Sequence, residues 1–220
     1  MFALLLVSAA AADLPVAPPP RVVDPFARWE KNIRAHEKRL TAHSPPPGGV
    51  LFAGSSSIVG WDVKKSFPGA GYVNVGFGGS VIADNTHFAP RLLNPHKPAT
   101  IVFYAGDNDI AKGIKPDQVL ADFKAFVTTV RKGNPECRVL FIAVKPSPAR
   151  WKLFETQTRA NALVRAYCGS EKGLVFVDVV PLMLGADGKP VPELFVKDGL
   201  HMTPKGYELW TAEVQKALAK

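Results

Sequence analysis

Five largely apolar runs follow one another along the chain from residue 50 onward. They occupy residues 50–53, 72–75, 101–105, 139–144 and 174–180. Within these runs the apolar residues do not alternate with polar ones, as they would in strands with one wet face. Unbroken apolar runs are typical of strands buried on both faces of a parallel sheet. We therefore expect five strands in one mainly parallel sheet.

The segments between these runs carry apolar residues at helical spacing. The clearest segment is bounded by Pro116 and Gly133, residue types that suit the first helical position and the C-terminal cap. Its apolar face comprises Val119, Leu120, Phe123, Phe126, Val127 and Val130. Further helices are expected over about residues 151–167 and from Thr203-Pro204 onward. This alternation predicts an α/β fold, a three-layer α/β/α sandwich around a central, mainly parallel five-stranded sheet.

The region before residue 50 has a different pattern. Residues 2–12 are apolar, too short to span a bilayer, and end in small residues before Asp13, as in a secretory signal peptide. No Lys or Arg precedes that run. We expect a signal peptide and Pro-rich linker over residues 1–23, and hence a secreted or periplasmic protein. Residues 24–49 are expected to form an amphipathic helix and a linker, and residues 50–220 the main domain.

Composition narrows the class of protein. The chain has 220 residues, of which 47% are hydrophobic and 21% charged, values that fit one ordinary α/β domain with an extension. The net charge of +8 favours anionic surroundings, but the basic residues are scattered and show no nucleic-acid signature. We expect no nucleic-acid partner.

The two cysteines, Cys137 and Cys168, form neither a disulfide framework nor a metal-binding pattern. Each precedes an apolar run. Free thiols are the default expectation, and a disulfide stays open if the two strands are neighbours.

Polar or glycine-rich segments follow the first three apolar runs. They are Gly-Ser-Ser at 54–56, Gly-Phe-Gly-Gly at 76–79 and Gly-Asp-Asn-Asp at 106–109. A fourth segment, Asp-Gly-Leu-His at 198–201, lies just before the last helix. The carboxyl ends of parallel strands meet at one edge of a sheet, where ligands bind. The three segments that follow strands are therefore expected to converge there.

Each of these residues has an ordinary structural interpretation. The serines could cap a helix, Gly78 and Gly79 could form a turn, Asn108 could cap a loop, and His201 could lie on the surface. Together they match what acyl transfer requires. A serine needs a base within hydrogen-bonding reach, which His201 can supply, and Asp198 can orient that base.

The tetrahedral oxyanion of such a reaction needs hydrogen-bond donors. The backbone N–H of Gly79, the side-chain amide of Asn108 and the N–H of the serine itself can provide them.

These blocks resemble the SGNH hydrolase superfamily, also called GDSL-type esterases and lipases, from about residue 50 to the C-terminus. The resemblance implies a flavodoxin-like fold, with Ser56 as nucleophile and Gly79 and Asn108 in the oxyanion hole. It also implies that Asp198 and His201 complete the triad.

One block departs from the family pattern. The family's Gly-Asp-Ser-Leu is Gly54-Ser55-Ser56-Ser57 here. The aspartate of that block is not the triad acid, so the catalytic set is retained. Alignment on Gly54 favours Ser56, and Ser55 and Ser57 remain rival nucleophiles.

Other nucleotide and hydrolase motifs fail on particular residues. A nucleophile elbow requires glycine where Ile58 stands, and a P-loop requires lysine after Gly60, where Trp61 stands. A dinucleotide fingerprint requires a third glycine where Val81 stands. Asp107 and Asp109 lack the accompanying ligands of a metal site, so we expect no metal and no cofactor.

The expected function is hydrolysis of carboxylic esters, with short acyl groups such as acetyl as the first candidates. The substrate would be a small-molecule, carbohydrate or lipid ester, and no stable membrane insertion is expected after signal removal. Lysophospholipids and thioesters are alternatives, as is a non-catalytic glycan-binding module on the same fold. Phe77, Trp151 and Phe195 could border the substrate, as could Trp61 and Lys145, or all five could pack in the core.

Overall fold

The computed structural model describes residues 24–46 and 48–220. The predicted signal peptide and linker over residues 1–23 lie outside the described residues. The helices are α1 Glu30–Ala42, α2 Ser56–Val59, α3 Val63–Ser66, α4 Ile82–Leu92, α5 Asp107–Ala111, α6 Pro116–Gly133, α7 Phe154–Ser170 and α8 Pro204–Leu218. The strands are β1 Val50–Gly54, β2 Val73–Asn74, β3 Thr100–Tyr104, β4 Arg138–Ile142 and β5 Leu174–Val177. Short 3-10 turns cover Ala27–Trp29, Asn94–His96, Pro148–Leu153, Pro181–Met183 and Pro192–Leu194.

The five strands form one parallel sheet in the order β2-β1-β3-β4-β5. The chain runs from β1 outward to β2 and then back past β1 to β3. In an open α/β sheet, a ligand usually binds at such a reversal, which lies here at the carboxyl ends of β1 and β3. The predicted α/β sandwich with a parallel five-stranded sheet is confirmed.

Helices cover both faces of the sheet because alternate strand residues point to opposite sides. On one face Leu51 and Ala53 of β1 belong to a core shared with α1, α4, α6 and α7. On the other face Phe52 belongs to a core shared with α2, α3 and α8. Both faces of the strands are therefore dry, which explains their unbroken apolar sequences.

Two of the predicted helices match closely and two differ. Helix α6 has the predicted bounds, and α8 begins at Pro204 with the Thr203 side chain accepting a hydrogen bond from the Gly206 N–H. The helix predicted over 151–167 is a 3-10 turn up to Leu153 followed by α7. The N-terminal helix begins at Glu30, after a 3-10 turn, rather than near Asp24.

Both cysteines are free and buried. Cys137 immediately precedes β4, and Cys168 lies near the end of α7. Burial raises the pKa of each thiol to about 12. Within the described ranges, no helix is long and apolar enough to span a membrane.

Candidate active site

The three consecutive serines after β1 differ in exposure. Gly54 has a φ of 135°, and a Cβ there would lie 1.9 Å from the carbonyl oxygen of Tyr104, so only glycine fits where the chain leaves the sheet. Ser55 and Ser57 are each 2% exposed. Ser56, the first residue of α2, is half-buried. It is thus the accessible serine of the three.

The loop after β2 lies beside Ser56. A Cβ on Gly78 would be 3.9 Å from the Cβ of Ser56. The next residue, Gly79, is exposed and has a φ of 74°. Among the described residues, the backbone N–H groups of Ser56 and Gly79 donate no hydrogen bond. Two unpaired N–H groups are therefore available at this edge of the sheet.

The Asp198–His201 segment forms a compact turn. The two N–H groups of Leu200 and His201 donate to Oδ1 of Asp198 at 2.8 and 2.9 Å. Its Oδ2 lies 2.6 Å from Nδ1 of His201. These hydrogen bonds, led by the one from the imidazole, hold the pKa of Asp198 well below its ordinary value. Because a carboxylate only accepts, Nδ1 carries the proton and Nε2 is free to accept one.

Hydrogen bonds tie this turn to the segment after β4 and the following helix α8 to α2. The N–H of Ala149 donates to the carbonyl of Gly199 at 3.0 Å, which ties the turn to the segment after β4. The hydroxyl of Tyr207, on α8, donates to the carbonyl of Ser57 at 2.9 Å. Within the described part of the chain, no hydrogen bond joins Ser56 to His201.

Asn108, at the start of α5, is held at both ends of its amide. Its Nδ2 donates to the carbonyl of Ser80 at 3.0 Å, which brings it to the loop that carries Gly79. Its Oδ1 accepts from Nη2 of Arg150 at 3.0 Å. One N–H of the amide is left for a third partner.

Asp107 lies beneath Asn108 in a buried charged cluster. Its Oδ1 is 2.8 Å from Nη1 of Arg150 and accepts from Gln157 at 3.2 Å. Its Oδ2 accepts from Nζ of Lys145 at 3.4 Å, and that ammonium also donates to the Tyr104 hydroxyl at 3.3 Å. Burial alone would raise the pKa of Asp107, but the charges of Lys145 and Arg150 hold that pKa below its ordinary value. Burial lowers the pKa of Lys145.

The Asp109 side chain connects two backbone segments near the site. Its two oxygens accept from the N–H groups of Ile82 and Gly106, both at 3.0 Å. The carboxyl therefore joins the segment after β3 to the start of α4. Burial, opposed by these hydrogen bonds, raises the pKa of Asp109 to about 6.

The residues expected to border the substrate lie in different environments. Phe77 is 2% exposed and packs against Trp29 and Phe88 in the core. Phe195 is buried in the opposite core. Trp151 is half-buried and stacks on Phe154, with ring centroids 4.6 Å apart. Of the three, Trp151 alone retains substantial accessible surface.

The other two candidates are also buried. Trp61 is 2% exposed and packs edge-on against Phe52, whereas Lys145 joins the charged cluster under Asn108.

Two residues at the site are absent from the sequence-based set. Arg150 could have been found, because the segment from Lys145 to Arg150 follows β4 just as the other polar segments follow β1, β2 and β3. Trp29 carries no such signal. Its Cη2 lies 3.4 Å from where a Cβ on Gly79 would be, so Trp29 neighbours Gly79 although 50 residues separate them along the chain.

Known proteins share both the sequence pattern and the fold. The sequence model of the GDSL-like lipase/acylhydrolase family matches residues 40–209, more than half of the chain. The chain belongs to this family. Platelet-activating factor acetylhydrolase IB subunit alpha1 of Bos taurus is 30% identical over 145 residues, which cover 61% of this chain and 58% of that protein. The match thus spans little more than half the length of the relative.

Solved structures share the fold of this GDSL-like family member. A GDSL-like lipase from Bacteroides thetaiotaomicron has a TM-score of 0.71 at 22% identity, covering 86% of this chain and 97% of that one. A carbohydrate esterase family 3 protein from Talaromyces cellulolyticus has a TM-score of 0.62 at 17% identity, covering 78% and 96%. The domain bounds predicted from sequence stay a prediction, as does secretion.

Proposed function

We propose that this chain is a serine ester hydrolase in which Ser56 is the nucleophile, His201 the general base and Asp198 the residue that orients His201. The observation that carries the proposal is the 2.6 Å hydrogen bond between Nδ1 of His201 and Asp198. It fixes the tautomer in which Nε2 can take a proton from a serine hydroxyl. The accessibility of Ser56 between two buried serines supports it as the nucleophile.

In the proposed reaction Ser56 Oγ attacks the ester carbonyl while Nε2 of His201 takes its proton. The imidazolium, stabilised by Asp198, then protonates the leaving alcohol, and an acyl-enzyme remains. Water, activated by the same imidazole, attacks that acyl-enzyme and releases the acid and free Ser56.

The proposed oxyanion hole consists of the N–H groups of Ser56 and Gly79 and the Nδ2 of Asn108. The two backbone donors lack partners within the described residues, which suits groups that bind charge only in the transition state. Removing the Asn108 donor should lower turnover on the order of a hundredfold to a thousandfold.

Three observations support a short acyl group such as acetyl. The indole of Trp29 lies against Gly79, one of the proposed oxyanion donors, where a bulky side chain would limit the length of an acyl group. The mammalian relative is named as an acetylhydrolase. The Talaromyces neighbour is named as a carbohydrate esterase, which makes an acetylated carbohydrate one candidate substrate.

Ser56→Ala tests the nucleophile. Hydrolysis of p-nitrophenyl acetate should fall by at least about a thousandfold, because the remaining site has no covalent route. Ser57→Ala is the matched control and should stay within a fewfold of wild type. An unchanged rate for Ser56→Ala would refute the assignment.

Labelling identifies the reactive serine independently. A serine-directed phosphonate or fluorophosphonate should modify Ser56 alone, as read by fragmentation of the labelled peptide that contains Ser55, Ser56 and Ser57. A panel of acyl esters and thioesters then ranks the substrate classes. Inactivity towards the whole panel, with no labelling, would favour a glycan-binding module instead.

A further inference from the structure

Arg150 links the proposed oxyanion amide to a buried carboxylate. One guanidinium nitrogen, Nη2, donates to Oδ1 of Asn108 at 3.0 Å, and the other, Nη1, lies 2.8 Å from Oδ1 of Asp107. The Arg150 side chain is 18% exposed. It reaches the site from the 3-10 turn Pro148–Leu153, 42 residues away from Asn108 along the chain.

The carboxylate that anchors Arg150 is itself fixed. Asp107 accepts hydrogen bonds from Lys145 and Gln157, side chains that are 1% and 0% exposed. Lys145 lies in the segment after β4 and Gln157 lies in α7, so two separate elements hold Asp107. The fixed carboxylate of Asp107 therefore determines the position of the Arg150 guanidinium.

A guanidinium has five donors and no acceptor, so it selects which end of the Asn108 amide faces it. With Arg150 in place, Oδ1 must point at Arg150 and Nδ2 must point at the loop of Gly79 and Ser80. A flipped amide would put N–H groups against N–H groups. The charge on Arg150 also draws electron density toward Oδ1, which makes the Nδ2 hydrogens stronger donors.

We propose that Arg150 is a positioning residue that holds the Asn108 amide in its oxyanion-binding orientation. This inference rests on the proposed function, in which Asn108 contacts the oxyanion. Lys145 and Arg150 both face the carboxylate of Asp107, and the guanidinium joins that carboxylate to the Asn108 amide. Arg150 acts through Asn108 and need not contact the substrate.

A double-mutant cycle tests this role. Arg150→Met, Asn108→Ala and the double variant are compared in p-nitrophenyl acetate hydrolysis, with Arg159→Met as control. Arg159 is an exposed arginine paired with Asp117 at 3.7 Å, and its removal should not change kcat. Arg150→Met should lower kcat about tenfold to a hundredfold and leave KM within about twofold, since the lost interaction is made in the transition state.

The effect of Arg150→Met in the Asn108→Ala variant shows whether Arg150 acts through Asn108. In Asn108→Ala the further Arg150→Met change should lower kcat by less than about threefold, because the amide that Arg150 orients is already gone. Full multiplication of the two effects, or an unchanged kcat in Arg150→Met, overturns the inference. If Asn108→Ala itself keeps wild-type kcat, the proposed oxyanion role fails instead, so the two failures are distinguishable.

Arg150→Lys covers the case in which Arg150→Met does not fold. Lysine keeps the charge but has a single nitrogen, so it cannot bridge Asn108 and Asp107 as the two guanidinium nitrogens do. Its kcat should lie between those of wild type and Asn108→Ala, with thermal unfolding recorded to verify the fold. A folded Arg150→Lys variant with wild-type kcat and no coupling to Asn108→Ala also overturns the inference.

Discussion

At the scale of residues, Ser56 differs from its neighbours in what its surroundings already use. Ser55 gives its N–H to the carbonyl of Tyr104, and Ser57 gives its carbonyl to Tyr207. Both side chains are enclosed, whereas Ser56 is half-buried and its N–H donates no hydrogen bond within the described residues. The position in the Gly54 alignment and the physical environment favour the same serine.

Trp29→Ala should broaden the range of acyl groups. The indole packs at van der Waals distance from the position beside Gly79, so its removal leaves space for a longer chain. We expect the ratio of kcat/KM for butyrate over acetate esters to rise about tenfold or more, as pocket selectivity for added methylenes allows. Trp151→Ala is the comparison variant, and an unchanged ratio in Trp29→Ala would remove Trp29 from the acyl site.

The candidate catalytic residues could be predicted from the sequence, but the packing contacts around them could not. Asp198 and His201 are three residues apart, so their pairing can be anticipated from spacing alone. Arg150 and Trp29 reach Asn108 and Gly79 across long stretches of chain. Such contacts depend on how the elements pack, which no local pattern encodes.

At the scale of elements, the segment after β3 is fastened by one carboxyl. Asp109 takes the N–H groups of Gly106 and Ile82, so the turn that presents Asn108 and the first turn of α4 move together. Because Asp109 is fully buried, these bonds compete with the cost of removing its charge from water. The result is a carboxyl whose pKa is raised to about 6.

The pKa of Asp109 predicts a pH dependence of stability. A folded pKa of about 6, above the ordinary 3.8, means that Asp109 contributes most below pH 4 and loses that contribution as pH rises through 6. The free energy of unfolding of wild type relative to Asp109→Asn should therefore fall by roughly 2.4 kcal/mol between pH 4 and pH 7. Urea unfolding of both proteins across this range measures it, and a flat difference would contradict the pKa.

The bounds of a helix could be predicted from the sequence where its capping residues agree with how the helix packs. Helix α6 has proline at its start and glycine at its end, and α8 has a threonine cap, so their bounds follow from sequence. Helix α4 contains Pro90, which lacks the N–H for a helical bond to Thr86. Burial of Phe88 and Leu92 stabilises α4 despite this, a tertiary effect that local preference does not reveal.

At the scale of the whole molecule, the parallel sheet determines where the candidate site forms. Residues 56, 79 and 108 lie in the segments that follow β1, β2 and β3, and these parallel strands end at one edge of the sheet. The turn at 198–201 follows no strand, and the Ala149 N–H ties it to the segment after β4. The convergence of the first three segments follows from strand direction alone and was predictable. The order of the strands places the usual ligand position between β1 and β3, since the chain reverses there.

The reactivity of the two buried thiols measures whether β4 and α7 remain folded. Cys137 and Cys168 are 1% and 5% exposed, and the thiolate that reacts with disulfide reagents is suppressed by a pKa of about 12. Native protein should react with Ellman's reagent far more slowly than a Ser170→Cys variant, which adds an exposed thiol at the end of α7. In denaturant both native cysteines should react. Rapid modification of the folded wild type would show that one of them is accessible.

Helix α1 holds the loop that carries Gly79. Arg91 of α4 binds Glu30 and Glu37 of α1, and His36 bonds the carbonyl of Gly76 at 3.0 Å. A local opening that lifts α1 from the sheet would release that carbonyl and the Trp29 contact in one step, while β1 and β3 stayed paired. The position of Gly79, the proposed oxyanion donor, thus depends partly on the docking of a helix that begins ten residues before the family match.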